Sequence, residues 1–115
     1  TALITDLEQR GMLDSTLVVV ATEFGRKPDF SGDGRSHHPV CFSTVLAGGG
    51  TKAGFVHGKS DDAGYYPEDD AVSVGAFHSS IAYAAGMDIE KPATSPSGRP
   101  MTVGDGEEPI LEFFT

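Results

Sequence analysis

A carboxylate and two imidazoles lie within one short stretch of this sequence, directly after an apolar run. Glu23 comes soon after that run, and His37 and His38 close the glycine-rich loop that follows. Carboxylate oxygens and imidazole nitrogens both bind divalent metal ions, although two ligands are too few for tight binding. Because neighbouring residues of an extended chain point to opposite sides, we expect only one histidine to join Glu23. The alternative is a structural ion pair of Glu23 with Arg26 or Arg35.

Three positive charges stand in the same loop of an otherwise acidic chain. They are Arg26, Lys27 and Arg35. The arginine guanidinium is a planar fork that matches phosphate, sulfate or carboxylate. The alternative is that these cations only balance the nearby Asp29 and Asp33. Since ligands of open α/β sheets bind beyond the carboxyl ends of strands, the position of the cluster favours anion binding.

Other catalytic motifs are absent. The triglycine Gly48 to Gly50 lacks the Lys-Ser/Thr pair of a phosphate-binding P-loop. No Gly-x-Ser-x-Gly sequence is present, so the sequence nominates no nucleophile. His57 and His78 are isolated, and we expect His78 to have a packing or capping role.

Composition narrows the classes of partner. The chain has 115 residues and a formal net charge of −9, which argues against nucleic acid and anionic membranes as partners. It contains no apolar run long enough for a membrane span. Its one cysteine, Cys41, cannot form an internal disulfide. The length suits a single domain with a modest core.

The hydrophobic pattern predicts an α/β domain with a mostly parallel sheet. The apolar run within residues 16–21 does not alternate, which is typical of a strand covered on both faces. The other predicted elements are a helix over 2–10 ended by Gly11, a strand over 40–47, an edge strand over 55–57, a surface loop over 59–70, a helix over 74–85 capped by Ser73, a tail over 92–109, and a final apolar segment, 110–114, that packs back.

Five blocks of the sequence together resemble one protein family. They are TLVVVATEFGR, GRSHHP, VLAGGGTKAGFVHG, SVGAFHSSIAYAAGMD and SGRP. Through them, residues 16–114 resemble the C-terminal part of the DUF1501 proteins, bacterial sulfatase-like members of the alkaline phosphatase superfamily. The resemblance implies a partial three-layer α/β sandwich with a mostly parallel sheet. It also implies that residues 1–115 are the C-terminal portion of a single sulfatase-like domain.

The same resemblance implies a metal-dependent hydrolase of phosphate or sulfate esters. Glu23 and Phe24 are similar in position to the Asp-His pair that follows a strand in this superfamily, and His37 to a later histidine. Glu23 and His37 are therefore expected to bind a divalent metal (zinc, manganese or calcium). Arg26 or Arg35 is expected to contact the anion of the ester substrate. The nucleophile is expected upstream, so no catalytic residue is assigned here.

Several positions depart from the family pattern. Phe24 cannot bind metal, Ser36 stands where Asp is usual, His38 stands where Trp is usual, and Gly75-Ala76 replaces Pro-Asp. These departures are the basis of an alternative function. In it, the protein is a catalytically degenerate member that serves as a binding or structural module in a secreted assembly.

Family members commonly carry a twin-arginine export signal, which implies a periplasmic or secreted location. The chain begins directly in a helix pattern, so we expect a piece of a longer protein whose N-terminal part is a partner. Alone, the chain is expected to have no hydrolase activity. It is also expected to self-associate through unpaired strand edges.

Overall fold

The computed structural model describes all 115 residues and contains four separate two-stranded sheets. The helices are α1 (Ala2–Gln9) and α2 (Val74–Ala84). The strand pairs are β1 (Val18–Val20) with β4 (Val45–Ala47), β2 (Gly25–Arg26) with β3 (His37–His38), β5 (Lys59–Ser60) with β6 (Pro67–Asp69), and β7 (Ala93–Thr94) with β8 (Pro100–Met101). All four pairs are antiparallel.

The prediction of a mostly parallel sheet in a three-layer, alkaline phosphatase-like sandwich is wrong for this structure. Strand β1 pairs with β4 in antiparallel register, with Val19 opposite Leu46. A parallel pair needs a crossover, usually a helix, but the segment between β1 and β4 contains only the β2–β3 hairpin. The strand predicted to be covered on both faces is only partly buried, and Val20 is exposed.

Other strand predictions need smaller corrections. The strand predicted over residues 40–47 forms only at its end, as β4. Residues 55–57 form no strand, and Val56 is 83% exposed. The stretch 59–70, predicted as a surface loop, instead contains β5 and β6. Lys59 lies 3.1 Å from both Glu68 Oε2 and Asp69 Oδ2, so this short hairpin is tied by charge rather than by an apolar face.

The helix predictions are confirmed. Helix α1 ends at Gln9, and Gly11 follows in the left-handed region that favours glycine. Helix α2 begins after Ser73, whose Oγ accepts a hydrogen bond from the Ala76 amide at 3.0 Å. Neither helix has the length and apolar character needed to cross a bilayer.

Small residues hold α2 against the last third of the chain. Ser79 and Ser80 have no exposed surface, and the Ser80 hydroxyl accepts from the Ile110 amide at 2.8 Å. A Cβ added to Gly75 would lie 2.6 Å from the Gly104 carbonyl oxygen, so the two backbones meet where only glycine fits. This close contact fixes the 3₁₀ segment Val103–Gly106 on the helix.

The final apolar segment packs back, as predicted. The Lys52 amide donates to the Phe113 carbonyl at 2.8 Å, and Thr51 forms a β-bridge with Phe114. The Phe114 ring lies 5.6 Å from the Tyr83 ring on α2. The C-terminus therefore connects α2 to the turn that follows β4.

Candidate functional site

The predicted anion-binding and histidine residues lie on one hairpin, residues 25–38, which we call the cationic hairpin. Arg26 is the register partner of His37, and Gly25 is the partner of His38. Register partners share a face of a two-stranded sheet. Arg26 and His37 therefore lie side by side on one face, and both are exposed. His38 is on the other face and is 5% exposed. The prediction that the two histidines point to opposite sides is confirmed.

An aromatic ring supports the exposed face. The Phe24 ring stacks on the His37 ring with a centroid separation of 3.7 Å and an angle of 19°. The Arg26 guanidinium lies 5.5 Å from the centre of the same Phe24 ring. The stack covers one face of the imidazole, but no hydrogen bond engages either ring nitrogen of His37. Phe24 thus holds a cation and an imidazole next to each other while leaving the nitrogens accessible.

Both arginines also brace the backbone of the hairpin, a role the sequence analysis missed. Arg26 Nη1 donates to the Arg35 carbonyl at 3.1 Å. Arg35 Nη1 donates to the Lys27 carbonyl at 3.0 Å and to the Pro28 carbonyl. The Arg35 guanidinium also lies 4.6 Å from the centre of the Phe30 ring. A guanidinium has five N–H donors, so each arginine keeps further N–H groups that these carbonyls do not engage.

The contacts give little support to the alternative in which Asp29 and Asp33 neutralise the cations of the hairpin. No ion pair joins its cations to Asp29 or Asp33. Asp29 instead accepts a hydrogen bond from the Tyr65 hydroxyl. This bond, a backbone hydrogen bond and the charges of Lys27 and Arg35 lower the pKa of Asp29. The same bond raises the pKa of Tyr65, because the phenol must keep its proton to donate.

Tyr65 fixes the buried face of the hairpin, and no sequence motif pointed to it. His38 Nε2 lies 2.6 Å from the Tyr65 carbonyl oxygen. A carbonyl only accepts, so Nε2 carries the proton. The two rings also meet edge to face at 5.8 Å. Tyr65 therefore holds the hairpin at two points, through its own carbonyl to His38 and through its hydroxyl to Asp29.

Glu23 lies at a bend before the hairpin. Its carboxylate is exposed and makes no hydrogen bond or ion pair, so the alternative, an ion pair with Arg26 or Arg35, is not formed. The bend is held by Thr22, whose hydroxyl donates to the Phe24 carbonyl at 2.7 Å. No hydrogen bond or ion pair joins Glu23 to His37. Their donor atoms have the right chemistry for a divalent cation, but nowhere do three His, Cys, Asp or Glu side chains come together as a ligand set. Metal binding by Glu23 and His37 stays a prediction.

The other two histidines lie away from the hairpin. His57 packs edge to face on Phe113 at 5.2 Å, and its Nδ1 lies 3.6 Å from a Glu112 oxygen. His57 therefore helps to seat the C-terminal segment. His78 is exposed on α2, with its ring 6.4 Å from that of Phe77.

Of three comparisons with known proteins, only the comparison with protein-family models gives a match. A search of curated proteins and a search of solved structures found no match. The family model described as "Protein of unknown function (DUF1501)" matches residues 1–114, nearly the whole chain. The chain therefore belongs to the DUF1501 family.

Proposed function

We propose that this chain supplies the anion-binding and metal-binding groups of a phosphate- or sulfate-ester hydrolase of the alkaline phosphatase superfamily. One observation carries the proposal. Arg26 and His37 lie side by side on an exposed face, and neither is paired with a carboxylate. An exposed cation without an acidic partner, in a chain of net charge −9, is the natural contact for an anion.

Arg26 is the residue that we assign to the anion. One of its nitrogens donates to the Arg35 carbonyl, and its guanidinium carbon lies 5.5 Å from the centre of the Phe24 ring. These contacts restrict the side chain before a ligand arrives, so less conformational entropy is lost on binding. The remaining N–H groups match two oxygens of a tetrahedral anion. Arg35 mainly braces the backbone of the hairpin, since its Nη1 already donates to two carbonyls.

Glu23 and His37 are the residues that we assign to a divalent metal. When bound, such an ion supplies Lewis-acid chemistry for ester hydrolysis. The carboxylate of Glu23 and the ring nitrogens of His37 have no partner within the chain, so both are available as ligands. Phe24 fixes the orientation of the His37 ring. The ester substrate and an exported location are parts of the same proposal and are supported by the family resemblance.

The test is a titration of the chain with inorganic sulfate and with inorganic phosphate, followed by NMR. We expect the amide signals of residues 25–38 to shift. Arg26→Gln should weaken binding about tenfold or more, because hydrogen bonds to charged groups contribute about 1.5–3 kcal/mol. Arg99→Gln is the matched control, because Arg99 lies outside the cationic hairpin on an exposed turn. Equal losses in the two variants, or shifts confined to other segments, contradict the assignment.

A second function is favoured by Phe24. By the family resemblance, Phe24 stands in place of a superfamily metal ligand. Its ring lies against His37, as in a module that binds an anion without a metal. Zinc, manganese or calcium added to the sulfate titration separates the two functions. The hydrolase-type site predicts tighter sulfate binding with metal, and the gain should be lost in Glu23→Gln. The binding module predicts the same sulfate affinity with and without metal.

A further inference from the structure

One carboxylate of the cationic hairpin is restrained by a residue outside the hairpin. The Tyr65 hydroxyl donates a hydrogen bond to Asp29 Oδ1, across 36 residues of the chain. The pKa of Asp29 is lowered first by this bond and, to a smaller extent, by the charges of Lys27 and Arg35, so both cations lie within electrostatic range of its carboxylate. Nevertheless, no ion pair joins Asp29 to either cation. The hairpin therefore contains an anion of its own that is bonded to a tyrosine and not to a cation.

Arg35 is the cation that Asp29 would reach without this restraint. Arg35 Nη1 donates to the carbonyl of Pro28, the residue directly before Asp29, so its guanidinium already lies beside this part of the backbone. A guanidinium and a carboxylate form two parallel charge-assisted hydrogen bonds, and such pairs are stronger than bonds to a neutral carbonyl. A released Asp29 would thus compete with the backbone carbonyls for Arg35.

An ion pair of Asp29 with Arg35 would also affect Arg26, the residue that we assign to the anion. Arg26 Nη1 donates to the backbone carbonyl of Arg35 at 3.1 Å, so a change at Arg35 alters the support of Arg26. The pair would also neutralise one of the three cations that attract an anion to this hairpin. Both effects weaken the binding of an external anion.

From these contacts we infer that Tyr65 is a positioning residue of the anion site, whose hydroxyl holds Asp29 away from Arg35 and so leaves the cationic hairpin open to an external anion. Asp29 is an internal competitor for the site, and Tyr65 restrains it. The inference rests on the proposed function, because it names what keeps the proposed anion contact free.

The sulfate titration of chosen variants tests the inference. Tyr65→Phe removes only the hydroxyl and keeps the backbone carbonyl that accepts from His38 at 2.6 Å. It should weaken sulfate binding about two- to fivefold, the effect of one exposed ion pair. Asp29→Asn added to Tyr65→Phe should restore the affinity, because the amide has no charge with which to pair with Arg35. Asp33→Asn added to Tyr65→Phe is the matched control, since it makes the same change in net charge and should not restore the affinity.

The Nε–H signal of Arg35 gives a second measurement that needs no sulfate. This NMR signal should shift in Tyr65→Phe, and the shift should disappear when Asp29→Asn is also present. Tyr66→Phe is the control for the loss of a hydroxyl, because Tyr66 is 61% exposed and its hydroxyl makes no hydrogen bond. It should change neither the Arg35 signal nor the sulfate affinity.

An Arg35 signal that is unchanged in Tyr65→Phe overturns the inference. A loss of affinity that Asp29→Asn does not restore overturns it as well, since a purely structural role of Tyr65 would persist in the double variant. Equal recovery with Asp33→Asn also contradicts it, because net charge alone would then explain the effect. A wild-type chain that binds neither sulfate nor phosphate contradicts the proposed function, whereas the Arg35 signal still decides whether Tyr65 restrains Asp29.

Discussion

Replacement of Gly104 by alanine should destabilise the fold more than any exposed glycine replacement. Gly104 has a φ of 61°, in the left-handed region, where a Cβ costs about 1–2 kcal/mol. A Cβ there would also overlap the Ser79 hydroxyl and the Gly75 carbonyl. Ser79 is fully buried, so relief of the overlap must move helix α2 or the 103–106 segment. Overpacking of this kind adds about 1–3 kcal/mol.

The expected loss in the free energy of unfolding for Gly104→Ala is therefore about 2–5 kcal/mol. Urea denaturation followed by circular dichroism measures it. Gly11→Ala is the matched control, because Gly11 has a φ of 66° and nothing within 4 Å of the added Cβ. This control should lose only the backbone cost of about 1–2 kcal/mol.

The difference between the two variants isolates the contact between α2 and the 103–106 segment. Ser79→Ala in the Gly104→Ala background should recover part of the loss, because it removes one of the two overlapping atoms. A Gly104→Ala chain that loses no more stability than Gly11→Ala would refute the packing argument.

Two further predictions concern the buried side of the cationic hairpin. His38→Trp should keep the sulfate affinity, and it should keep more stability than His38→Phe. Only the indole N–H can donate to the Tyr65 carbonyl, and an unpaired buried carbonyl costs about 1–3 kcal/mol. Urea denaturation of both variants and of His37→Ala measures the difference. Tyr65→Phe should remove the last phenol to ionise in an ultraviolet titration, because the bond to Asp29 raises the pKa of Tyr65 above its usual value of about 10.

The pH dependence of the Tyr65→Phe effect follows from both partners of the bond. The lowered pKa of Asp29 means that its contribution to stability is present above about pH 4 and is lost as the pH falls through the lowered value. The raised pKa of Tyr65 means that its contribution is present below about pH 10 and is lost as the pH rises through the raised value. Wild type and Tyr65→Phe should thus differ most near neutral pH. A difference that grows toward either extreme contradicts the bond, as does a His38→Phe chain as stable as His38→Trp.

Local signals in the sequence predicted the helices, but they did not predict how the strands pair. Ser73 and Gly11 mark helix ends through their own backbone chemistry, so no distant residue is needed to read them. The valines of β1 form the same unbroken apolar run whether the strand is covered on both faces or pairs in an exposed ribbon. Only the distant contact with β4 distinguishes the two arrangements.

In the candidate site, too, local features could be predicted from the sequence and distant contacts could not. Residue types placed Arg26 and His37 in one loop, and the structure makes them register partners. Tyr65 was missed because it lies in an acidic stretch without a motif, and its contacts with His38 and Asp29 cross 27 and 36 residues. The stack of Phe24 on His37 has no signal in the sequence, because the family resemblance marks Phe24 only as the loss of a metal ligand. Side-chain contacts across a hairpin depend on register, which the glycine-rich loop does not reveal.

The most direct test of the account is whether Glu23 and His37 bind one ion. Manganese is added to the chain at a low ratio, and the NMR signals of each residue are followed for paramagnetic broadening. If the two residues share an ion, Glu23 and His37 broaden together, Glu23→Gln abolishes the broadening at His37, and His78 on α2 is unaffected. Broadening that is confined to residues 61–70 would contradict the shared site. Broadening at His37 that Glu23→Gln leaves unchanged would contradict it as well.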